Sequence, residues 1–143
     1  MQTNERIDED TQLDGIRVLI IDDDGVNSML ARSILTRQGC IVQVAPNPVK
    51  ALETYAHERD AIDLVLVDYF MPALDGGETI QHLRKINPDI KVLLFSGADE
   101  IRLRQIIRQH KVEGYLHKPL RKDEALQVIR QIFPAPSEPI ART

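Results

Sequence analysis

VLIIDDDGV, residues 18–26, sets four apolar residues ahead of three aspartates and a glycine. A run this short, rich in β-branched residues and apolar at every position, reads as a strand buried on both faces, the condition of interior strands in a parallel sheet. The same kind of segment recurs along the chain as IVQV (41–44), LVLV (64–67), VLLF (92–95) and YL (115–116). Longer segments with helical spacing separate these runs. Val26, Met29, Leu30, Ser33 and Ile34 fall on one helical face, as do Val49, Leu52 and Ala56, then Ile80, Leu83 and Asn87, then Leu103, Ile106 and Ile107. The clearest stripe is Ala125, Val128, Ile129, Ile132 and Phe133, at i, i+3, i+4, i+7 and i+8. Gly39 and Asn47-Pro48 stand where a helix stop and a capped helix start are expected. Strand and helix alternating five times predict an α/β fold, a five-stranded parallel sheet doubly wound with five helices. The runs from Val18, Leu64 and Val92 are apolar throughout and suit the interior, whereas Gln43 interrupts the second and the fifth is short. Order 2-1-3-4-5 meets both conditions.

The bulk properties limit what such a chain can be. With 143 residues, 43% of them apolar, there is material for one domain around one core. We expect residues 1–15 to form a disordered N-terminal tail, 16–133 the folded domain, and 134–143, with three prolines, a C-terminal tail or linker. Because the chain begins at Met1 and shows no tag, the expectation is a single-domain protein rather than a piece cut from a larger one. A net charge of −4 and a pI near 5.5 speak against nucleic acid as a direct partner. No run approaches the roughly 20 apolar residues that cross a bilayer, and the N-terminus is acidic where a secretion signal would be basic. Cys40, the lone cysteine, fits a small buried apolar residue in a reducing compartment. The expectation is a cytoplasmic protein without a membrane partner.

In a doubly wound sheet, ligands bind beyond the carboxyl ends of the strands, where the winding reverses. Asp22, Asp23 and Asp24 follow the first strand, Asp68 the third, Ser96 the fourth and Lys118 the fifth. Carboxylates from Asp22 or Asp23 and from Asp68 would repel one another there unless a cation lay between them. Oxygen ligands with open positions suit Mg2+, which readily takes a phosphoryl oxygen as a further ligand. Lys118 would add a positive charge and Ser96 a hydroxyl donor, so the set fits stabilisation of a transferring phosphoryl group. Asp68, in the middle of the sheet, is the candidate nucleophile.

These residues carry a resemblance. From Arg17 to Phe133 the chain resembles a response-regulator receiver domain, a flavodoxin-like fold of two-component signalling. VLIIDDD resembles the acidic pair of that family, at Asp22 and Asp23, and LVLVDYFMPALDG (64–76) its phosphoacceptor signature, with Asp68 as the phosphorylated residue. FSG (95–97) resembles the serine/threonine motif and LHKPL (116–120) the lysine–proline motif. The resemblance implies that Asp23, Asp68 and the backbone carbonyl of Phe70 hold Mg2+ directly, that Asp22 does so through water, and that the Lys118–Pro119 peptide is cis. It implies a histidine kinase or histidine phosphotransfer protein as phosphoryl donor, and no enzymatic activity beyond the domain's own phosphorylation and dephosphorylation. It also implies a switch in which Ser96 moves toward the phosphoryl group and Tyr115 turns inward, altering the face made by the fourth helix, fifth strand and fifth helix, a face that could also form a homodimer. Phe70 and Ala98 flank the path of an attacking water, and neither can orient it by hydrogen bonding, so a long phosphoryl lifetime is expected. Arg102, Arg104, Arg108, Lys111, Arg121 and Lys122 make this region basic, which suits ordinary solvated helix faces first and, as the alternative, an acidic partner or charge-paired self-association.

Two alternatives compete. The chain also resembles a haloacid dehalogenase-like phosphatase, with Asp22 as nucleophile and Asp24 as general acid. That reading lacks a later acidic pair for the metal and an inserted cap, and it leaves VDYFMPALDG without a role. The other alternative is a pseudo-receiver that binds partners without phosphorylation, against which stands the complete set of site residues.

Overall fold

The computed structural model describes residues 11–71 and 75–135. Residues 1–10 and 136–143 of the expected tails lie outside the described residues, as do Pro72, Ala73 and Leu74 of the phosphoacceptor signature. In chain order the elements are β1 (Arg17–Ile21), α1 (Gly25–Arg37), β2 (Ile41–Ala45), α2 (Pro48–Glu58), a 3-10 turn (Arg59–Ala61), β3 (Leu64–Val67), α3 (Gly76–Ile86), β4 (Lys91–Ser96), α4 (Glu100–His110), β5 (Gly114–His117) and α5 (Lys122–Ile132). The strands form one sheet in the order β2-β1-β3-β4-β5, every pairing parallel.

Alternation along the interior strands divides the core in two. Leu19, Ile21, Val65, Val67, Val92 and Leu94 point to one side, where Tyr55 of α2, Ile80 and Leu83 of α3, and Leu103 and Ile106 of α4 cover them. Val18, Ile20, Leu64, Leu66, Leu93 and Phe95 point to the other, covered by Ala31 and Leu35 of α1 and by Ala125 and Ile129 of α5. Each fully buried Leu or Ile contributes about 1.5–3 kcal/mol relative to exposure, so both layers are needed to hold the sheet.

Helices α3, α4 and α5 turn the stripes their sequences announce toward the sheet, with Ile80, Leu83, Leu103, Ile106, Ala125 and Ile129 buried; α1 and α2 do not. In α1 the buried residues are Ser28, Ala31 and Leu35. Val26, Met29 and Leu30 are instead 80%, 71% and 41% exposed. Small side chains at 28 and 31 let the helix lie close on the sheet, and the larger ones are displaced outward. The buried Ser28 hydroxyl is satisfied by the Gly25 carbonyl at 3.2 Å. In α2, Pro48, Ala51 and Tyr55 are buried while Val49 faces solvent. The Tyr55 hydroxyl lets this bulky residue lie in the core because it accepts a hydrogen bond from Asn87 Nδ2 at 3.0 Å.

Contacts of the fold reach back past residue 16. Leu13 is fully buried, its N–H donating to the Gln38 carbonyl at 2.9 Å, and the Gly15 N–H reaches the Gly39 carbonyl at 3.0 Å. Gly39 has a φ of +96°, and a methyl group there would stand 2.2 Å from an Asp14 carboxylate oxygen. This position therefore needs glycine both for its backbone and for the strap that crosses it.

Candidate phosphoryl-transfer site

The sheet register assembles the site. Ile21 pairs with Val67, so the residues that follow, Asp22 and Asp68, emerge side by side, and the Asp68 N–H still donates to the Ile21 carbonyl at 2.9 Å. Ser96 pairs with His117, and the Lys118 N–H donates to the Ser96 carbonyl at 3.0 Å, which brings the lysine to the same edge.

The two buried carboxylates are held alike. Asp22 Oδ1 accepts from the Asp24 N–H at 2.9 Å, and Asp68 Oδ1 accepts from the Phe70 N–H at 3.0 Å. Each acid thus commits one oxygen to its own loop and turns the other toward Lys118. Lys118 Nζ donates to Asp68 Oδ2 at 3.1 Å and stands 2.8 Å from Asp22 Oδ2. The second contact is off the hydrogen-bonding angle, leaving Asp22 Oδ2 buried with a charge contact but no hydrogen bond among the described residues. Burial raises the Asp22 pKa above the ordinary carboxylate value, against the opposing pull of Lys118. Burial would lower the Lys118 pKa, but its close contacts with the charges of Asp22 and Asp68 outweigh that and hold the ammonium charged. The Lys118 ammonium also lies 5.2 Å from the centre of the Phe95 ring.

Asp23, exposed, completes an acidic group: one oxygen each from Asp22, Asp23 and Asp68 lie within 4.8 Å of one another. Three acids face one lysine, and one buried oxygen lacks a hydrogen bond. That donor set fits a hard divalent cation, which would supply the missing positive charge and a partner for the orphan oxygen.

Ser96 is buried, and its Oγ accepts from the Ala98 N–H at 3.0 Å; among the described residues it makes no hydrogen bond to the carboxylates. Tyr115 is turned toward α4, where its hydroxyl donates to Glu100 Oε1 at 2.6 Å. That bond raises the Tyr115 pKa above its ordinary value. The Lys118–Pro119 peptide is cis. Phe70 is 44% exposed, with the Arg102 guanidinium 5.1 Å above its ring.

The structure clarifies two charged features of the sequence. Asp24 caps α1, accepting from the Val26 and Asn27 N–H groups and from Asn27 Nδ2. Both its oxygens are thereby taken up by the first turn, which removes the general acid the phosphatase alternative requires. The second feature is the face formed by α4, β5 and α5. An open groove of about 540 Å3 between α4, β5 and α5 is lined by Glu100, Glu113 and Glu124 among others, and by none of the basic residues. Arg102 is drawn to Phe70, Arg104 pairs with Glu100 at 3.7 Å, and Arg121 pairs with Asp123 at 3.4 Å. A contact without a sequence signal joins Tyr69 to His110, hydroxyl to Nε2 at 3.1 Å, across 41 positions.

A doubly wound sheet whose carboxyl edge carries clustered aspartates, a serine and a lysine fits the receiver class that the sequence resembles. The chain belongs to the response regulator receiver domain family, which matches residues 18–130. It is 34% identical over 119 residues to the response regulator MprA of Mycobacterium sp. (strain KMS), covering 82% of this chain and 50% of the relative. It is 36% identical over 119 residues to MprA of Mycobacterium leprae (strain TN), covering 82% and 51%. The chain thus spans about half the length of these curated relatives. Among solved structures, the chemotaxis protein CheY4 of Vibrio cholerae superposes with a TM-score of 0.73 at 21% identity, covering 82% of this chain and 98% of that one. The CheX–CheY–BeF3–Mg2+ complex of Borrelia burgdorferi gives 0.74 at 24% identity, covering 82% and 89%. Both structural likenesses concern the fold. No helix among the described residues is long and apolar enough to cross a membrane.

Proposed function

We propose that Asp68 accepts a phosphoryl group from the phosphohistidine of a histidine kinase or phosphotransfer protein. The observation that carries this reading is the convergence of Asp22 Oδ2 and Asp68 Oδ2 on Lys118 Nζ at the mouth of the sheet. An Asp68 oxygen attacks phosphorus in line, the P–N bond to the donor's imidazole breaks, and the electron pair leaves on that nitrogen, which then takes a proton. Negative charge is spread over the phosphoryl oxygens during this step, and Lys118 lies where it can offset that charge. Asp23, Asp68 and the Phe70 carbonyl would hold Mg2+ directly and Asp22 through water; when bound, the ion supplies further positive charge to the same oxygens.

Once Asp68 is phosphorylated, Ser96 exchanges its Ala98 bond for the phosphoryl group, and Tyr115 leaves Glu100 to fill the vacated space. The α4–β5–α5 face therefore takes up a second arrangement, and a homodimer through it is the form of output that its mixture of acidic groove and basic flanks supports. The exposed Val26, Met29 and Leu30 adjoin the acids after β1 and offer an apolar surface to a donor protein.

Labelling with acetyl phosphate and Mg2+, followed by intact-mass analysis, tests the reading. A single phosphoryl adduct that disappears in Asp68→Asn is expected. Turnover of p-nitrophenyl phosphate would restore the phosphatase, and the absence of both adduct and turnover would leave a pseudo-receiver. Phe70, topped by Arg102, should slow loss of the phosphoryl group, so Phe70→Asn should hydrolyse faster than the wild type and Ala98→Glu should differ from it less. If Phe70→Asn retains the wild-type rate, the ring does not control access.

A further inference from the structure

The dipeptide that follows Asp68 touches α4 at both ends. Phe70 receives the Arg102 guanidinium at 5.1 Å from its ring centre, near the start of the helix. Tyr69 meets His110, its last residue, by the 3.1 Å hydrogen bond and by ring contact at 5.7 Å between centroids. The two aromatic rings also lie edge to face, 5.3 Å apart, so displacement of one is felt by the other.

The surroundings of the Tyr69–His110 contact are shaped to hold it. The first turn of α3 opens with two glycines. A methyl group at Gly76 would stand 2.6 Å from Tyr69 Cα, and one at Gly77 would stand 2.8 Å from His110 Cε1 and 2.9 Å from Nε2. Both partners therefore lie on a platform that only a missing side chain leaves open. The Gly76 N–H donates to the Tyr69 carbonyl at 3.0 Å, tying the dipeptide to the same turn. On the other side, the C-terminal end of α4 is anchored from α3. Arg84 Nη1 donates to the His110 carbonyl and Nη2 to the Lys111 carbonyl at 2.9 Å. These are carbonyls that a helix end leaves without partners. Lys111 closes the helix with a φ of 54°, a left-handed conformation uncommon for a residue with a side chain.

We propose that the Tyr69–His110 contact is a route by which the state of Asp68 reaches the C-terminal end of α4, separate from the route through Ser96 and Tyr115. It rests on the reading of Asp68 as the phosphoacceptor. A new group on Asp68 competes for the carboxylate oxygen that now holds the Phe70 N–H, and the loop pivots at the Tyr69 peptide between them. The Tyr69 hydroxyl, at the far end of a stiff ring, converts a small rotation of that peptide into the making or breaking of one hydrogen bond. The two states of that bond are the element that both sites bias.

The test is to follow backbone amide shifts as beryllofluoride and Mg2+ are added to the wild type, Tyr69→Phe and Gly77→Ala. Tyr69→Phe removes the hydroxyl, whereas the methyl of Gly77→Ala presses on His110 and Asp75 and has no atom of residues 68–70 among its nearest neighbours. In the wild type, shifts are expected both at residues 96–98 and at 107–112. In each variant the shifts at 107–112 should fall by roughly half or more, while those at 96–98 and 115 persist. His110→Gln, which can still accept from Tyr69, should keep more of the 107–112 response than His110→Leu. Shifts at 107–112 that match the wild type in both variants would overturn the route. A wild type that responds at 96–98 but not at 107–112 would overturn it while leaving the phosphoacceptor reading intact; no response anywhere would sink both.

Discussion

Helices α1 and α5 cover the same face of the sheet, yet they are fixed by opposite means. Helix α5 starts at Arg121 without a side-chain cap and is held by its apolar stripe, Ala125 and Ile129 buried, with Val128 and Ile132 packed beside them. Helix α1 starts at Asp24 with three hydrogen bonds into its first turn, buries Ser28, Ala31 and Leu35, and turns Val26 and Met29 to solvent. A hydrophobic stripe thus locates a helix, but its rotation follows from how near the sheet the helix must lie. A helix seated on small side chains and fastened by a polar cap leaves its apolar residues free for other use, here beside the acids after β1.

The comparison can be broken at several points. The largest effect belongs to Ile129→Ala, expected to cost about 2–5 kcal/mol in urea denaturation because it empties a filled site under α5. Leu35→Ala should cost an amount in the same range of about 2–5 kcal/mol; if its effect is negligible, α1 is rotated differently from the way described. Asp24→Ala should lower the urea midpoint by less than either core change, since it removes a cap rather than packing. Hydrogen bonds from the Asn27 side chain and backbone hold the Asp24 carboxyl below the usual carboxylate range. The cap therefore contributes fully at neutral pH and is lost as pH falls through that lowered pKa. An NMR titration of the Asn27 amide should accordingly show its midpoint below about 3.9. The smallest effect belongs to Met29→Ser, expected to change stability by less than about 0.5 kcal/mol. A loss approaching that of Ile129→Ala would show that the outward stripe is a core face after all.

The strands were legible because burial on both faces leaves a short apolar run that little else produces. Asp22, Asp68, Ser96 and Lys118 were legible because position after a strand is position at the sheet edge, and the register keeps those ends level. The rotations of α1 and α2 were not, since Ser28 and Pro48 carry no mark in sequence of lying under a helix. The Tyr69–His110 contact was hidden by its 41-residue separation. The acidic groove was hidden for a related reason: arginines on α4 and α5 are visible as a tally, but where each guanidinium goes depends on partners such as Phe70 and Glu100.

The strap at residues 12–15 gives the chain a chemical timer. Cys40 is 4% exposed, its Sγ 3.7 Å from the Leu13 carbonyl. Burial, aided by the Asp14 charge, pushes its thiol up to about 12. Thiolate is the reactive form, so iodoacetamide at pH 8 should leave the folded chain unmodified. Each time the strap peels from Gln38 and Gly39, the thiol meets water and regains an ordinary acidity near 8.5. The rate of alkylation would then report the fraction of molecules open at this end. A chain trimmed to the matched residues 18–130 lacks Leu13, and its cysteine would be alkylated far faster than that of the full chain.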